Sequence, residues 1–286
     1  MEAGYPAMTT IVGVHGIGKY HYYEESGGSP GRAAETMRLK WNGYLHKGLA
    51  GAAAPGGVQD YFAEIAYYAH HLHSGPPRPP KQMEPPAKLV FADWAAQLDG
   101  RIRSAAGESL TGIAHRLAEW LLARLGPNAV KFAQDFCPEV ATYLGGGDPR
   151  VRARDTVADV IRRRQPRVVI AHSLGSVVAY EAFWAHSDLS TELLVTLGSP
   201  LGMRDVVFER LSPVPVHGRG ARPPGVKRWI NIADKDDIAA IPPDLQAFFV
   251  GIERDVACNI DWLDFHTVRN YLGCGAANEY LKPYLA

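Results

Sequence analysis

The segment from residue 167 to 185 constrains the fold more than any other part of the chain. Val168-Val169-Ile170-Ala171 is a continuous apolar run of the kind that a sheet buries on both faces. Residues 177–185 have helical composition, so the strand gives way to a helix within a few residues. A strand that leads directly into a helix is typical of a parallel sheet with helices packed against it.

Other short apolar or β-branched runs predict strands at 9–14, 61–68, 193–197 and 226–232. Helical stretches separate or follow them, the clearest being 33–48, 128–144 and 155–164. Strands that alternate with helices predict an α/β fold: a doubly wound, mostly parallel sheet with helices on both faces.

The domain organisation follows from length and from proline content. A chain of 286 residues fits a single α/β domain. Prolines crowd residues 76–86, where they exclude a helix or a central strand, and residues 87–125 then look mostly helical. We therefore predict one domain, residues 1–286, with a helical, lid-like insertion at residues 75–127.

Composition excludes several classes of protein. Lys and Arg number 30 and Asp and Glu number 30, so the formal net charge is zero, which argues against binding to nucleic acid. Cys137, Cys258 and Cys274 form no C-x-x-C pair and imply no disulfide framework. No apolar run approaches the roughly 20 residues that span a bilayer, and no secretory signal is visible. We expect a soluble, cytoplasmic protein with no membrane span.

Ser173 lies in the turn between the buried strand and the helix, in the sequence Ala171-His172-Ser173-Leu174-Gly175. Such a turn projects the hydroxyl above the sheet, and it is cramped, so the residues two before and two after the serine must be small. This pattern is a nucleophile elbow, with Ala171 in place of the usual first glycine. The alternative is a serine in an ordinary strand–helix turn; the strand, the small neighbours and the helix together favour a nucleophile.

The first predicted strand ends at His15-Gly16-Ile17-Gly18, a loop in which backbone N–H groups can approach a ligand. We assign the Ile17 N–H as one donor of an oxyanion hole and the Leu174 N–H as the other. Two alternatives stay open. The loop can be a simple structural turn, or Gly13 to Lys19 can be a phosphate-binding G-x-x-x-x-G-K loop, although Tyr20 stands where that loop has serine or threonine. The residues after Lys19 are not an obvious helix start.

The pairing of His-Gly-Ile-Gly near the N-terminus with Ala-His-Ser-Leu-Gly downstream resembles the α/β-hydrolase superfamily, and more narrowly its serine esterases and lipases. The resemblance extends to the Leu-Gly-Ser-Pro turn at residues 197–200 and to the C-terminal acid and histidine regions. It implies a catalytic triad in the chain order nucleophile, acid, histidine.

Three carboxylates follow the predicted strand 226–232 and compete for the position of the acid. A triad acid orients the imidazole and stabilises its cationic form. Asp237 precedes an apolar pair and resembles the acid loops of lipases, so we take it as the triad acid. Asp236 and Asp234 remain alternatives, and side-chain hydrogen bonds within the turn would account for those that are not the acid.

The chain order leaves one histidine for the base, because His266 is the only one that follows the acid loop. We expect the side chain of His172 to point away from Ser173. His70, His71 and His73 have no carboxylate or cysteine at metal-ligand spacing, so we interpret them as exposed imidazoles at the end of a strand. We expect no metal and no cofactor.

These assignments predict a serine hydrolase that cleaves a carboxylic ester. Ser173 attacks the carbonyl, His266 takes and returns the proton, Asp237 holds the imidazole, and the N–H groups of Ile17 and Leu174 bind the oxyanion.

The substrate predicted is a small molecule with an apolar acyl group. The insertion would cover it as a lid or acyl pocket, or else form extra core, through Trp94, Leu110, Leu117, Trp120 and Leu121. An acyltransferase or thioesterase would use the same groups. A non-catalytic binding module on the same fold is the other alternative, because a fold alone does not establish a function.

Overall fold

The computed structural model describes residues 9–50, 61–99, 109–260 and 266–285. Its centre is a sheet of six strands that are all parallel to their neighbours. In order across the sheet, the strands are Tyr61–Ala66 (β2), Thr9–Val14 (β1), Val168–His172 (β3), Thr191–Leu197 (β4), Val226–Asp234 (β6) and Arg254–Cys258 (β8). Gly220–Ala221 (β5) and Phe249–Val250 (β7) form a second, two-stranded parallel sheet.

Helices cover both faces of the large sheet. They are Tyr20–Glu25 (α1), Pro30–Ala50 (α2), Pro85–Leu98 (α3), Leu110–Leu125 (α4), Pro127–Leu144 (α5), Asp148–Arg164 (α6), Leu174–Ala185 (α7), Val268–Gly273 (α8) and Asn278–Leu281 (α9). Helix α2, with α8 and α9, packs on one face, and α3 to α7 pack on the other. The predicted α/β class with a parallel sheet between helices is therefore confirmed.

Strand β3 shows why the apolar runs form the central strands. All its residues are buried. Val168 and Ile170 pack into the core beneath α2, whereas Val169 and Ala171 pack into the core beneath α7. A strand covered on both faces needs apolar side chains at every position, because successive side chains point to opposite faces.

Two elements differ from the sequence expectation. Helix α1 begins at Tyr20, directly after the loop at the end of β1, where no helix start was expected. It lacks a capping side chain, and Tyr22 is its only buried residue, so no capping motif or apolar stripe marks it. Strand β8 has no apolar run because it is an edge strand whose residues are at least partly exposed. Both elements depend on packing partners elsewhere in the chain.

Helices α3, α4 and α5 pack on one another, and α3 and α5 also contact loops at the carboxyl ends of the strands. The indole N–H of Trp94 on α3 donates to the carbonyl oxygen of Ile238, which follows β6, at 2.7 Å. Much of the predicted insertion, residues 75–127, lies in these helices, but residues 100–108 are outside the described part of the chain. Over that described part, no helix combines the length and the apolar character that a membrane crossing needs.

Candidate active site

Strands β1 and β3 are neighbours at the point where the order of the sheet reverses, with β2 added on one side and β4 on the other. In open α/β sheets, ligands bind in the crevice outside the carboxyl ends of the strands at such a point. The loop at residues 15–19 leaves β1 here, and Ser173 follows β3. The topology therefore brings together the two motifs that the sequence singled out.

The backbone at Ser173 is strained. Its φ is 55° and its ψ is −134°, a combination that a residue with a side chain rarely adopts. The Ser173 N–H donates to the carbonyl oxygen of Leu197 at 3.0 Å, and the Ser176 hydroxyl donates to the Ser173 carbonyl oxygen at 2.6 Å. These bonds hold the turn in a conformation that local sequence preference alone would not select.

Glycines make room around this turn. A Cβ atom on Gly16 would lie 2.5 Å from Cβ of Ser173, and one on Gly175 would lie 2.3 Å from the carbonyl oxygen of His15. Neither distance is compatible with a side chain. The loop after β1 and the turn after β3 are therefore in direct contact, and glycine at both positions is required by that contact.

The Ser173 hydroxyl is completely buried and has no hydrogen-bond partner within the described structure. The same is true of Nε2 of His266. An unpaired buried polar group costs about 1–3 kcal/mol, so such groups are uncommon and call for an explanation. Because neither atom has a partner, the Ser173 hydroxyl and Nε2 of His266 are not hydrogen-bonded to each other in this conformation.

Asp237 is the carboxylate that contacts His266. Nδ1 of His266 lies 3.0 Å from Oδ1 and 2.8 Å from Oδ2 of Asp237. Because a carboxylate only accepts, Nδ1 carries the proton, and in the neutral imidazole Nε2 is then the acceptor. Asp237 also accepts from the N–H of Ala239 at 2.9 Å and from the hydroxyl of Tyr271 at 2.7 Å. Four short contacts therefore fix this buried carboxylate.

The two alternative acids occupy other positions. Asp234 accepts from the N–H of Asp236 at 2.8 Å and from the N–H of Ile260 at 2.6 Å, so it braces the loop against the chain beyond β8. The side chain of Asp236 is exposed to solvent. Asp237 alone of the three contacts His266 within the described residues.

His172 remains next to the candidate site. Its ring centroid lies 4.7 Å from that of His266. Burial, together with the nearby His266, Lys19 and His15, lowers the pKa of His172 well below its usual value. The ring is therefore neutral, and it packs against His266 without adding a second charge there.

The N–H groups of Ile17 and Leu174 lie in the two loops that meet at Ser173. No protein acceptor within the described residues takes either of them. Leu174 is the first residue of α7, so the positive end of the helix dipole supports its N–H as an anion donor. Whether they form an oxyanion hole stays a prediction.

The phosphate-loop alternative fits the geometry poorly. The Gly18 N–H, which a phosphate would need, already donates to Oε1 of Glu139 at 2.9 Å. Burial is the main reason that the pKa of Lys19 is lowered, with Glu139 and Asp135 nearby acting in the opposite direction. The N–H near the middle of this loop is therefore not available to a phosphate.

Two of the three histidines at residues 70–73 are less exposed than expected, and His73 is exposed as predicted. His70 and His71 are half-buried in a short 3₁₀ turn, and His73 stacks on Tyr20 with ring centroids 3.5 Å apart. Within the residues that the structure describes, no group of three or more His, Cys, Asp or Glu side chains is arranged to hold a metal ion.

Aromatic side chains from α3 and α5 cover the histidine. The Phe132 ring meets the His266 ring edge-on at 5.1 Å, and Trp94 and Phe136 pack behind it. Of the residues proposed for the lid or acyl pocket, Trp94, Leu117 and Leu121 are buried in the core. In this conformation they serve as packing, and the Ser173 hydroxyl is closed off from solvent.

A cavity of about 820 Å³ lies beside the candidate triad. Its lining includes Gly18, Lys19, Asp135, Glu139 and Thr267, so it is bordered by the loop after β1, by α5 and by the residue that follows His266. Charged side chains border this cavity, and apolar residues, among them Met83, Pro86 and Ala87, also line it.

Comparisons with protein-family models, curated proteins and solved structures find no match for this chain. The class of protein therefore rests on the fold and the site themselves. The chain is an α/β protein with a six-stranded parallel sheet, and its candidate site lies where the strand order reverses.

Proposed function

We propose that this protein is a serine hydrolase of the α/β-hydrolase type that cleaves a carboxylic ester. The observation that carries the proposal is the bond between the Nδ1 atom of His266 and the Asp237 carboxylate, which leaves Nε2 buried and unpaired. The hydroxyl of Ser173 is the second buried and unpaired group, and it lies in a strained strand–helix turn. Strain of this kind is common at catalytic residues.

In the proposed reaction, the Ser173 hydroxyl oxygen attacks the ester carbonyl carbon while Nε2 of His266 takes its proton. The N–H groups of Ile17 and Leu174 stabilise the resulting oxyanion, and Asp237 stabilises the imidazolium. When the intermediate collapses, the bond between the carbonyl carbon and the alcohol oxygen breaks. The alcohol oxygen takes the proton from His266 as it leaves. Water then attacks the acyl-enzyme by the same sequence of proton transfers.

A fluorophosphonate probe tests this proposal, because it reacts covalently with an activated serine. We expect one adduct per chain, mapped by peptide mass spectrometry to Ser173, and no adduct in Ser173→Ala. The matched control is Ser187→Ala, which removes an exposed serine hydroxyl after α7. Labelling of Ser173→Ala at the wild-type rate would contradict the proposal.

Acyl transfer to an acceptor other than water uses the same groups. Product analysis with a panel of esters of increasing chain length distinguishes the two outcomes: hydrolysis yields the free acid, and transfer yields a new ester, amide or thioester. The panel also reports the length of acyl chain that the closed site accepts.

A further inference from the structure

Helix α5 reaches across the candidate site and contacts both of its halves. Phe132 meets the ring of His266, and Glu139, seven residues later, accepts the N–H of Gly18 at 2.9 Å. Residues seven apart lie two turns along the same face of a helix. One face of α5 therefore touches the histidine and the loop that carries the Ile17 N–H.

The loop after β1 is held at its ends through its carbonyl oxygens. The Tyr68 hydroxyl donates to the carbonyl oxygen of His15 at 2.7 Å, and the Tyr67 hydroxyl donates to that of Lys19 at 2.9 Å. Both tyrosines lie just after β2. Between these ends, Glu139 supplies the bond to the N–H of Gly18, the peptide group directly after Ile17.

Such a loop needs a tether near its middle. Gly16 and Gly18 flank Ile17, and Gly18 has a φ of +69°, so the backbone there has wide conformational freedom. A donor in an oxyanion hole stabilises the transition state only when it is aligned with the oxyanion, and loss of one donor costs 10²–10³ in kcat. A small rotation of the Ile17–Gly18 segment would therefore reduce the rate.

We propose that Glu139 is a positioning residue, which holds Gly18 so that the Ile17 N–H points at the oxyanion. This inference rests on the proposed serine hydrolase. Because the oxyanion exists only beyond the ground state, loss of the positioning lowers kcat and leaves KM nearly unchanged.

The surroundings of Glu139 set its protonation state, and that state decides which substitution reproduces the side chain. Burial, with a smaller contribution from Asp135, raises the pKa of Glu139 to about 8, although the bond from Gly18 and the charge of Lys19 oppose the shift. Near pH 7 its carboxyl group is therefore mostly neutral. A glutamine side chain keeps the length and the carbonyl acceptor, so it reproduces that state.

The test compares Glu139→Gln with Glu139→Met, which is similar in size but has no oxygen acceptor. Both variants are assayed with the most reactive ester of the panel at pH 7. We expect the kcat of Glu139→Gln to stay within about threefold of wild type and the kcat of Glu139→Met to fall by about 10- to 100-fold. The KM of both variants should stay within about threefold of wild type. Glu139→Ala provides the same comparison if the Met variant does not fold. The matched control is Gln134→Ala on the same helix, because Gln134 lines the same cavity and takes no part in the Gly18 bond.

The outcomes separate the two proposals. If turnover depends on Ser173 but Glu139→Met and Glu139→Ala keep the wild-type kcat, Glu139 has no positioning role and the hydrolase stands. Equal losses in the Gln and Met variants, or a loss confined to KM, would also overturn the positioning role. Turnover that does not depend on Ser173 would overturn both.

Discussion

The hydroxyl of Tyr271 donates to Oδ2 of Asp237 at 2.7 Å and accepts from the N–H of Asp234 at 3.1 Å. A single buried phenol on α8 thus joins the end of β6 to the carboxylate that contacts His266. Burial and the neighbouring Asp237 raise the pKa of Tyr271 far above its usual value, so the phenol stays protonated and donates at all ordinary pH.

Tyr271→Phe removes this donor and leaves the ring in place. A hydrogen bond to a charged group contributes about 1.5–3 kcal/mol, so we expect the free energy of unfolding to fall by that amount. Denaturation by urea measures it. We expect kcat to fall less than tenfold, because Asp237 still contacts both Nδ1 of His266 and the N–H of Ala239. A loss of kcat as large as that of Asp237→Asn would contradict this interpretation.

Asp237→Asn keeps the shape of the acid but lets the amide present its NH₂ to His266, so the imidazole loses its orientation and its charge partner. We expect turnover of an activated ester to fall by about 10⁴. Asp236→Asn is the matched control on an exposed neighbour, and we expect it to stay within a few-fold of wild type. The reverse order would identify Asp236 as the acid and retain the serine mechanism.

His15 makes stability depend on pH. It is buried, it contacts the carbonyl oxygen of Gly16 at 2.7 Å and it accepts from the N–H of Tyr68 at 3.1 Å. Burial lowers its pKa from 6.5 to about 3. Between those two pH values, His15 binds a proton in the unfolded chain but not in the folded chain. The stabilisation that His15 contributes is therefore fully present above pH 6.5 and is lost as the pH falls toward 3.

The measurement is the slope of unfolding free energy against pH between 6 and 4. One buried histidine contributes about 1.4 kcal/mol per pH unit. We expect the His15→Gln variant to have a lower free energy of unfolding than wild type at pH 7. Its slope of unfolding free energy against pH, measured by urea denaturation at each pH, should be smaller by the amount that corresponds to about one proton. An unchanged slope would show that His15 titrates normally in the folded chain.

Trp94→Phe tests the closure of the site. The indole N–H of Trp94 holds α3 to the loop of Asp237 through the carbonyl oxygen of Ile238, and Ser173 is completely buried. The substitution removes the donor and part of a packed ring, which costs about 1–3 kcal/mol. We expect Ser173 to react several-fold faster with a bulky fluorophosphonate, because α3 separates more readily from the loop.

The rate with a small fluorophosphonate is the internal control for that experiment. It should change much less, since a small probe needs less movement of α3. Equal acceleration of both probes would indicate a general loss of structure, and no acceleration would show that α3 does not limit access.

The amino-acid sequence by itself determined the features that depend on neighbouring residues. The β-branched, apolar run at residues 168–171 predicts a strand covered on both faces, and the small residues Ala171 and Gly175 allow the cramped turn at Ser173. The α/β class follows from the same local patterns, repeated along the chain.

The tertiary structure decided the choices that depend on distant residues. Asp234, Asp236 and Asp237 share one loop, and only the approach of His266 and Tyr271, about 30 residues later, distinguishes them. Glu139 accepts a hydrogen bond from Gly18, which lies 121 positions away in the sequence, and no local pattern in α5 predicts that contact. Local preferences select strands, turns and helices, but the partner of a buried polar group is chosen by packing, which only the folded chain defines.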